Sequence, residues 1–408
     1  MYKDISHHIN KNRGWAVSLV RQLVRIPTVN PPGENYEALV KALEGHLKKM
    51  GLATEKIATP GSVLKKHRIA AGSPRVSLIA DWPTGSKKTF HINGHYDVVP
   101  ASGKWRFPPF KAVMRGDKIY GRGTEDMKGT ITAMALAVKT LRELGLRPKV
   151  NIQLSFCPDE EIGGRTGFGW LVETGRIKAD FGMTEGLGYD CVSCGNKGIF
   201  WGRIHSFGKT AHGSLPYKGI NSFDGMLALC EELKRLDRKI SKRKTRYRMI
   251  NAKDRHPTLV LGGEVSGGKK GNIVPDQTSF SIDRRLIPEE NLALARREIE
   301  DAIARVSKRH KDYRYKLEVM AQDSPVFVDP DEKICRAIGD AVYKVLRRKP
   351  RICLMPGGTD IRYLIKKGIP SVGYSARGSG RWHSTDEFIR VKSILDAAKV
   401  YALTIMNL

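Results

Sequence analysis

The 408-residue chain has no uninterrupted apolar run of membrane-spanning length, and the stretch from Met1 to Trp15 is polar and charged with no apolar segment after it. A helical membrane span and a secretory leader are therefore not expected, and an unprocessed cytoplasmic protein is. Cysteine is sparse: Cys157, Cys191, Cys194, Cys230, Cys335 and Cys353 lie scattered, which predicts reduced thiols and not a disulfide framework. Cys191 and Cys194 form one Cys-x-x-Cys without a second pair at zinc-ribbon spacing, and a closed zinc site needs four ligands, so the pair reads as structural. Acidic residues are in short supply, 42 against 71 Lys and Arg, for a formal net charge of +29. That surplus raises the question of nucleic acid or another anionic partner. No helix-turn-helix, finger or aromatic RNA-binding pattern accompanies it. Its densest run, Lys234 to Arg248, ends a helical pattern, where cations complement the helix dipole. Nucleic acid is accordingly not the expected partner, although anionic substrates could be steered by such a field. Phosphate-loop spacing and a Ser-His-Asp nucleophile elbow are also missing.

Length favours two domains. Helical patterns at Trp15 to Val24 and Tyr36 to Leu52 flank the turn Pro27-Thr-Val-Asn-Pro-Pro-Gly33. β-type runs at Val76 to Trp82 and Thr89 to His95, joined by Pro83 to Lys88, read as a hairpin. The pattern then predicts a helix from Asp126 to Leu144 and strands at Val150 to Cys157 and Phe181 to Thr184. Strands alternating with helices predict an α/β domain with a mixed, largely parallel sheet covered by helices. From Gly198 to Met320 the order is strand, helix, strand, strand, helix, strand, that of a small α+β domain of split βαβ, ferredoxin-like kind. A helix (Asp331 to Leu346), a glycine-rich turn (Pro356 to Asp360), a strand (Pro370 to Tyr374) and a last helix (Glu387 to Met406) follow. Residues 1–196 and 323–408 are thus expected to form one domain, with 197–322 inserted into it.

Three stretches gather histidine and carboxylates where strand-like runs end: His91-Ile-Asn-Gly-His-Tyr-Asp-Val-Val-Pro100, Tyr120-Gly-Arg-Gly-Thr-Glu-Asp-Met-Lys-Gly129 and Cys157-Pro-Asp-Glu-Glu-Ile-Gly-Gly164. Open α/β sheets place their sites there. His95 and Asp97 are two apart, so on extended backbone they share a face, and the carboxylate can take the second N–H of a metal-bound imidazole. The adjacent acids Asp159, Glu160 and Glu161 would repel at a strand end unless cations or protons intervene. A divalent ion resolves this by binding one carboxylate while a neighbour serves as general base. Spacing leaves open which acid takes which role. His383 is a further candidate, with Ser384 or Thr385 placed to cap the helix that follows. Together His95, Asp126, a member of the 159–161 cluster, Glu185 and His383 form a mixed nitrogen and oxygen set suited to zinc, cobalt or manganese. His212 lies in the inserted domain, so a catalytic role needs that domain, or a partner's copy of it, to reach the site.

The ordered set His95-Tyr-Asp-Val-Val-Pro, Gly121 to Gly129, Asp159-Glu-Glu161, Thr184-Glu-Gly186, Gly208 to Pro216, Asn272-Ile-Val-Pro275, Asp283-Arg-Arg-Leu-Ile-Pro288, Gly357-Gly-Thr-Asp360 and His383-Ser-Thr-Asp-Glu387 carries a family resemblance. From about Pro27 to near the C-terminus the chain resembles the dinuclear zinc hydrolases that include acetylornithine deacetylase, succinyl-diaminopimelate desuccinylase, aminoacylase and glutamate-releasing carboxypeptidase. The resemblance implies two divalent ions, with Asp126 bridging them, His95 and Glu185 completing one site, and Glu161 and His383 the other. It implies Glu160 as general base with Asp97 among the catalytic groups, and a cis peptide at Asp126-Met127. It also implies a homodimer formed through the inserted domain, across which His212 stabilises an oxyanion. Asn272, Arg285, Gly357, Gly358 and Thr359 would help to bind the substrate, Arg285 being preferred to Arg284 because the pattern places arginine two after the aspartate. Glutamate at 185, where the aminopeptidase and glutamate-carboxypeptidase branches carry aspartate, implies an amidohydrolase of N-acyl amino acids. A dipeptidase or carboxypeptidase using the same site is the alternative.

Overall fold

Three apolar runs that end in polar turns, Thr89–His95, Asn151–Cys157 and Phe181–Thr184, become neighbouring parallel strands at the centre of a mixed sheet. The computed structural model describes residues 1–69, 74–380 and 382–408. Across this sheet the strands run in the order 53–58, 76–82, 151–157, 89–95, 181–184, 371–373 and 191–196, with 351–355 also paired to 191–196. Pairing is parallel in the middle, including 371–373 on 181–184, and antiparallel toward both flanks. The central strands are buried along nearly their whole length, because helices cover both faces. Strand 76–82 shows the division: Leu78 and Ala80 join the core on the face covered by helix Tyr36–Lys49. Ile79 joins a second cluster with Phe168, Leu171 and Leu364 on the other face.

The chain divides into two compact units, residues 1–195 with 328–355 and 359–408, and residues 196–327 with 356–358. The smaller unit is an antiparallel sheet in the order 258–267, 277–286, 198–207, 314–323. Its apolar face carries helices Ser222–Ile240 and Leu292–Arg309 over a core of its own. Each helix starts at an asparagine cap: Asn221 Oδ1 accepts from the Phe223 N–H at 3.0 Å, and Asn291 Oδ1 from that of Ala293 at 2.8 Å. Among the described residues no helix is long and apolar enough to cross a membrane.

Several local expectations are corrected. Strands 76–82 and 89–95 do not form a hairpin: strand 151–157 lies between them, antiparallel to the first and parallel to the second. A tight hairpin needs a two-residue turn of special geometry, whereas the linker Pro83–Lys88 is long enough to step over one strand, a gap of about 10 Å. The helix expected from Asp126 starts at Gly129 instead. Asp126 (φ −118°, ψ 93°) and Met127 (φ −132°, ψ 28°) leave the helical region. The amides of Glu125 and Asp126 donate to the Glu387 carboxylate at 2.8 and 3.3 Å and not to helix carbonyls. The last helix begins at Val391, after a strand Phe388–Arg390 paired with Lys118–Tyr120, so neither Ser384 nor Thr385 caps it. An N-terminal helix, Tyr2–Lys11, escaped notice because it buries only Ile5 and Ile9 in a polar stretch.

Candidate metal centre

The parallel strands 89–95, 151–157 and 181–184 deliver their C-terminal ends to one edge, with His95 paired to Cys157. His95 is the last residue of its strand, and Glu185 follows the third directly. Asp126 arrives on the wide turn after Gly123, whose φ of +78° only glycine adopts without cost. The Asp126–Met127 peptide is cis, as the resemblance implies. The two oxygens of Asp126 face different partners: Oδ1 lies 3.1 Å from His95 Nε2, and Oδ2 lies 3.5 Å from His383 Nε2. Glu185 Oε2 stands 3.2 Å from His95 Nε2, and Glu161 Oε2 stands 3.0 Å from His383 Nε2. Two triads result, His95–Asp126–Glu185 and Asp126–Glu161–His383, each with ligand atoms within 4.8 Å of one another.

The donor set fits cations. His95 Nδ1 lies 3.2 Å from the Asp97 carbonyl oxygen, an acceptor that requires Nδ1 to carry the proton. The Nε2 lone pair then faces two carboxylate oxygens, acceptor against acceptor, and a metal ion is what such a trio binds. Among the described residues no Lys or Arg pairs with Asp126, Glu161 or Glu185. Electrostatics show the same deficit. Burial and the Asp126 charge push the Glu161 carboxyl up to about 7. Burial, then Glu185, raise Glu160 well above the usual carboxylate range. Hydrogen bonding to Asp126 and Glu161 carries His383 up to about 10. Burial opposes a charge on His95, yet Glu185, Asp126 and Asp97 still hold its pKa well above the usual value.

Of the three adjacent acids, Asp159 is set apart by what it touches. Asp159, buried with φ +68°, accepts from Thr166 Oγ1 at 2.5 Å, Asn30 Nδ2 at 3.0 Å, Tyr36 Oη at 3.1 Å and Arg75 Nε at 3.2 Å. Its oxygens are spent on structure. Asp97 accepts the Glu160 and Glu161 amides, each at 3.2 Å, and Asn30 Nδ2 at 2.9 Å, so it aims the pair while backing His95.

The remaining expected residues belong to other elements. Ala211–His212 pairs with Ile273–Val274, and the Gly213 N–H donates to the Asn272 carbonyl at 2.8 Å, so His212 and Asn272 share one short ribbon of the smaller unit. The Ser214 N–H donates to His212 Nδ1 at 3.2 Å, which leaves Nε2 as an exposed N–H donor. Arg285 is not brought to that ribbon: the steps from Gln277 to Arg285 along one strand span roughly 27 Å. It instead forks onto Asp283 at 2.8 and 3.0 Å and lies over the Trp201 ring. Arg284 is fully buried against Glu290 at 2.7 Å, which leaves Arg285 as the one able to meet a ligand. Gly357 has open space where a side chain would be, and Thr359 is buried just before Asp360.

Sequence reasoning missed several supporting groups. Buried Asp360 accepts from Asn93 Nδ2 at 3.1 Å, and burial raises its carboxyl to about 7. Asn30, between Asp97 and Asp159, sits in the proline-rich stretch that reads in the sequence only as a turn. Glu387 takes the amides of Gly123, Glu125 and Asp126 together with Arg122 Nη1 at 2.7 Å. Three amide donors within residues 123–126, gathered round one distant carboxylate, leave no periodic trace that a sequence reading could find.

The chain belongs to Peptidase family M20/M25/M40, which it matches over residues 91–407, and is a metal-dependent hydrolase acting on amide bonds. It is 28% identical to an uncharacterised metallohydrolase of Methanocaldococcus jannaschii over 95% of this chain and 97% of the relative. It is likewise 28% identical to aminoacylase-1 of Sus scrofa, over 88% of this chain and 86% of that protein. Human carnosine dipeptidase 1 shares the fold at a TM-score of 0.78, with 17% identity over 100% of this chain and 98% of that one.

Proposed function

We propose that the protein hydrolyses the amide bond of N-acyl amino acids at a dinuclear centre of zinc, or of cobalt or manganese. The observation that carries this reading is the division of Asp126, one oxygen toward His95 and Glu185 and the other toward His383 and Glu161. His95, Asp126 and Glu185 would hold one ion, and Asp126, Glu161 and His383 the second. When bound, such a pair lowers the pKa of a water and polarises the scissile carbonyl. Glu160 takes the proton of the attacking water and returns it to the leaving amine. Burial beside Glu185 raises its affinity for that proton. Asp97 is a positioning residue, since it fixes the tautomer side of His95 and the backbone of Glu160. His212, with Nε2–H exposed, would steady the oxyanion. Asn272, Arg285, Gly357, Gly358 and Thr359 would orient the substrate.

In this reading residues 1–196 and 323–408 are the catalytic domain, and 197–322 form the domain that pairs two copies and carries His212. The working compartment is the cytoplasm, where the cysteines stay reduced. The alternative is a dipeptidase on the same centre, supported by the shared fold of human carnosine dipeptidase 1. Glu185 and the similarity to aminoacylase-1 favour the deacylase. Amine release from N-acetyl, N-succinyl and N-aminoacyl amino acids, by metal-stripped protein with and without added zinc, tests both. Zinc-restored cleavage of acyl substrates is the expected result, and preference for aminoacyl substrates would select the dipeptidase. Glu160→Ala is expected to cut kcat by about 10²- to 10⁴-fold while both metals stay bound, and near-full activity would remove Glu160 from the base role.

A further inference from the structure

A cavity of about 400 Å³ opens in the larger unit beside the start of helix Val391–Asn407, and none of the five proposed metal ligands lines it. Leu346, Tyr374 and Ala397 give it an apolar base, while Arg351, Arg377, Arg390 and Lys392 stand on its walls against two acids, Asp190 and Asp396. The acids are already committed. Asp190 binds Arg351 at 2.8 Å, and Asp396 binds Lys392 at 2.5 Å and Lys399 at 3.2 Å. Arg377 and Arg390 have no such carboxylate among the described residues. Their guanidinium carbons lie 5.5 Å from the Trp382 ring centre and 5.7 Å from that of Phe388. A ring contact restrains the flat face of a guanidinium and leaves its edge donors for another acceptor. The adjoining helix adds to the same bias, with no side-chain cap and no acid in its first turn. Two unspent arginine forks and a positive helix end beside an aromatic and aliphatic base describe a pocket for a small anion with an organic body.

We propose that this cavity binds a phosphate-bearing small molecule, its phosphoryl oxygens held by Arg377 and Arg390 at the head of helix Val391–Asn407 and its apolar part resting on Leu346 and Tyr374. Arginine forks match phosphoryl oxygens in pairs, and the cavity is large enough for an ester and not only for the bare ion. The pocket also backs onto the metal-bearing loops. Ser375 Oγ accepts the Gly186 N–H at 3.0 Å, next to Glu185, and the Gly378 N–H donates to Glu125 at 2.9 Å, next to Asp126.

Calorimetric titration of the metal-loaded protein with phenyl phosphate and with inorganic phosphate tests the proposal, in about 0.15 M salt, where screening over about 8 Å suppresses the diffuse field of a basic protein. Arg390→Glu changes an exposed side chain and Arg377→Gln removes the second fork. Each is expected to weaken binding by about tenfold or more, while Lys308→Ala with Lys311→Ala, two exposed cations of the smaller unit, changes it less than about twofold. Tighter binding of phenyl phosphate marks an organic ester as the ligand, and equal binding marks free phosphate; either supports the site if the arginine dependence holds. Equal losses in the lysine control, or undiminished binding in both arginine variants, would overturn it, the first by assigning binding to diffuse charge and the second by moving it to the metal centre.

Discussion

At the scale of single residues, the carboxylate of Glu387 shows how much of the centre depends on a group outside it. It collects N–H donors from Gly123, Glu125 and Asp126 at 3.1, 2.8 and 3.3 Å and is neutralised by Arg122 at 2.7 Å, all within protein. Glutamine has the same shape but one acceptor oxygen, and its NH₂ would point a donor at donors. Glu387→Gln is therefore expected to weaken metal binding by about 10- to 100-fold, read by competition with a chelator, with kcat largely recovered at saturating zinc. Unchanged metal affinity would mean that the turn bearing Asp126 holds itself. Buried His91 makes a different prediction. Its ring nitrogens face Gln153 at 2.9 Å and Ser155 at 2.8 Å, its ring stacks on Phe168 at 5.5 Å, and burial lowers its pKa to about 4. The unfolded chain, at an ordinary value of about 6.5, binds this proton at higher pH than the folded one does. Stability from this group is thus complete above about 6.5 and falls as the pH drops toward 4, by about 3 kcal/mol in all. Denaturant unfolding of wild type and His91→Gln across that window should show a shallower acid loss in the variant. Parallel curves would clear His91 of the effect.

At the scale of elements, what could be read from the chain depended on how local the cause was. Strands 198–207 and 181–184 and helix 333–346 announce themselves by periodic apolar residues, and the motifs at their ends follow from that placement. The six-residue linker Pro83–Lys88 carried no information about which strand would lie between its neighbours, because strand 151–157 comes far later in the chain. The structural commitment of Asp159 was equally hidden, since it rests on Arg75, Tyr36 and Asn30, all distant in sequence. The helix expected from Asp126 starts later because Asp126 and Met127 leave helical geometry in a turn whose amides at 125 and 126 are held by Glu387. That turn leaves Gly129 as the true start of helix Gly129–Glu143, and it carries a prediction. In an open helix Gly→Ala stabilises by about 1 kcal/mol. Here an added Cβ would stand 2.5 Å from the Thr124 carbonyl oxygen and 3.1 Å from Ile389, and backbone cannot yield as a side chain does. The sign therefore reverses: Gly129→Ala is expected to lower the melting temperature and displace the Asp126 turn, with less than two zinc ions bound per chain by metal analysis. A stabilised variant with full metal content would show that the turn tolerates the shift.

At the scale of the whole molecule, the surplus of 71 basic over 42 acidic residues is spread along the chain, and the run Lys234 to Arg248 holds only part of it. Some of that run is already neutralised, as Arg243 binds Glu290 at 2.6 Å and also pairs with Glu298. A field from many dispersed cations acts on the approach of a charged substrate and not on the bond-breaking step. It is also screened over about 10 Å at 0.1 M salt, so its effect has to fade as salt rises. For a dianionic N-succinyl amino acid we expect kcat/KM to fall several-fold, within the roughly 10- to 10³-fold range open to steering, as salt is raised from low to physiological strength. For a dipeptide with no net charge kcat/KM should stay nearly level, and kcat should be flat for both substrates. Substituting Lys234, Lys239, Lys242 and Lys244 by glutamine divides the two sources of the field. A lost salt dependence would place steering in that segment, whereas a preserved one would assign it to the rest of the surface. If the two substrates respond to salt alike, the charge does not serve the approach of substrate at all.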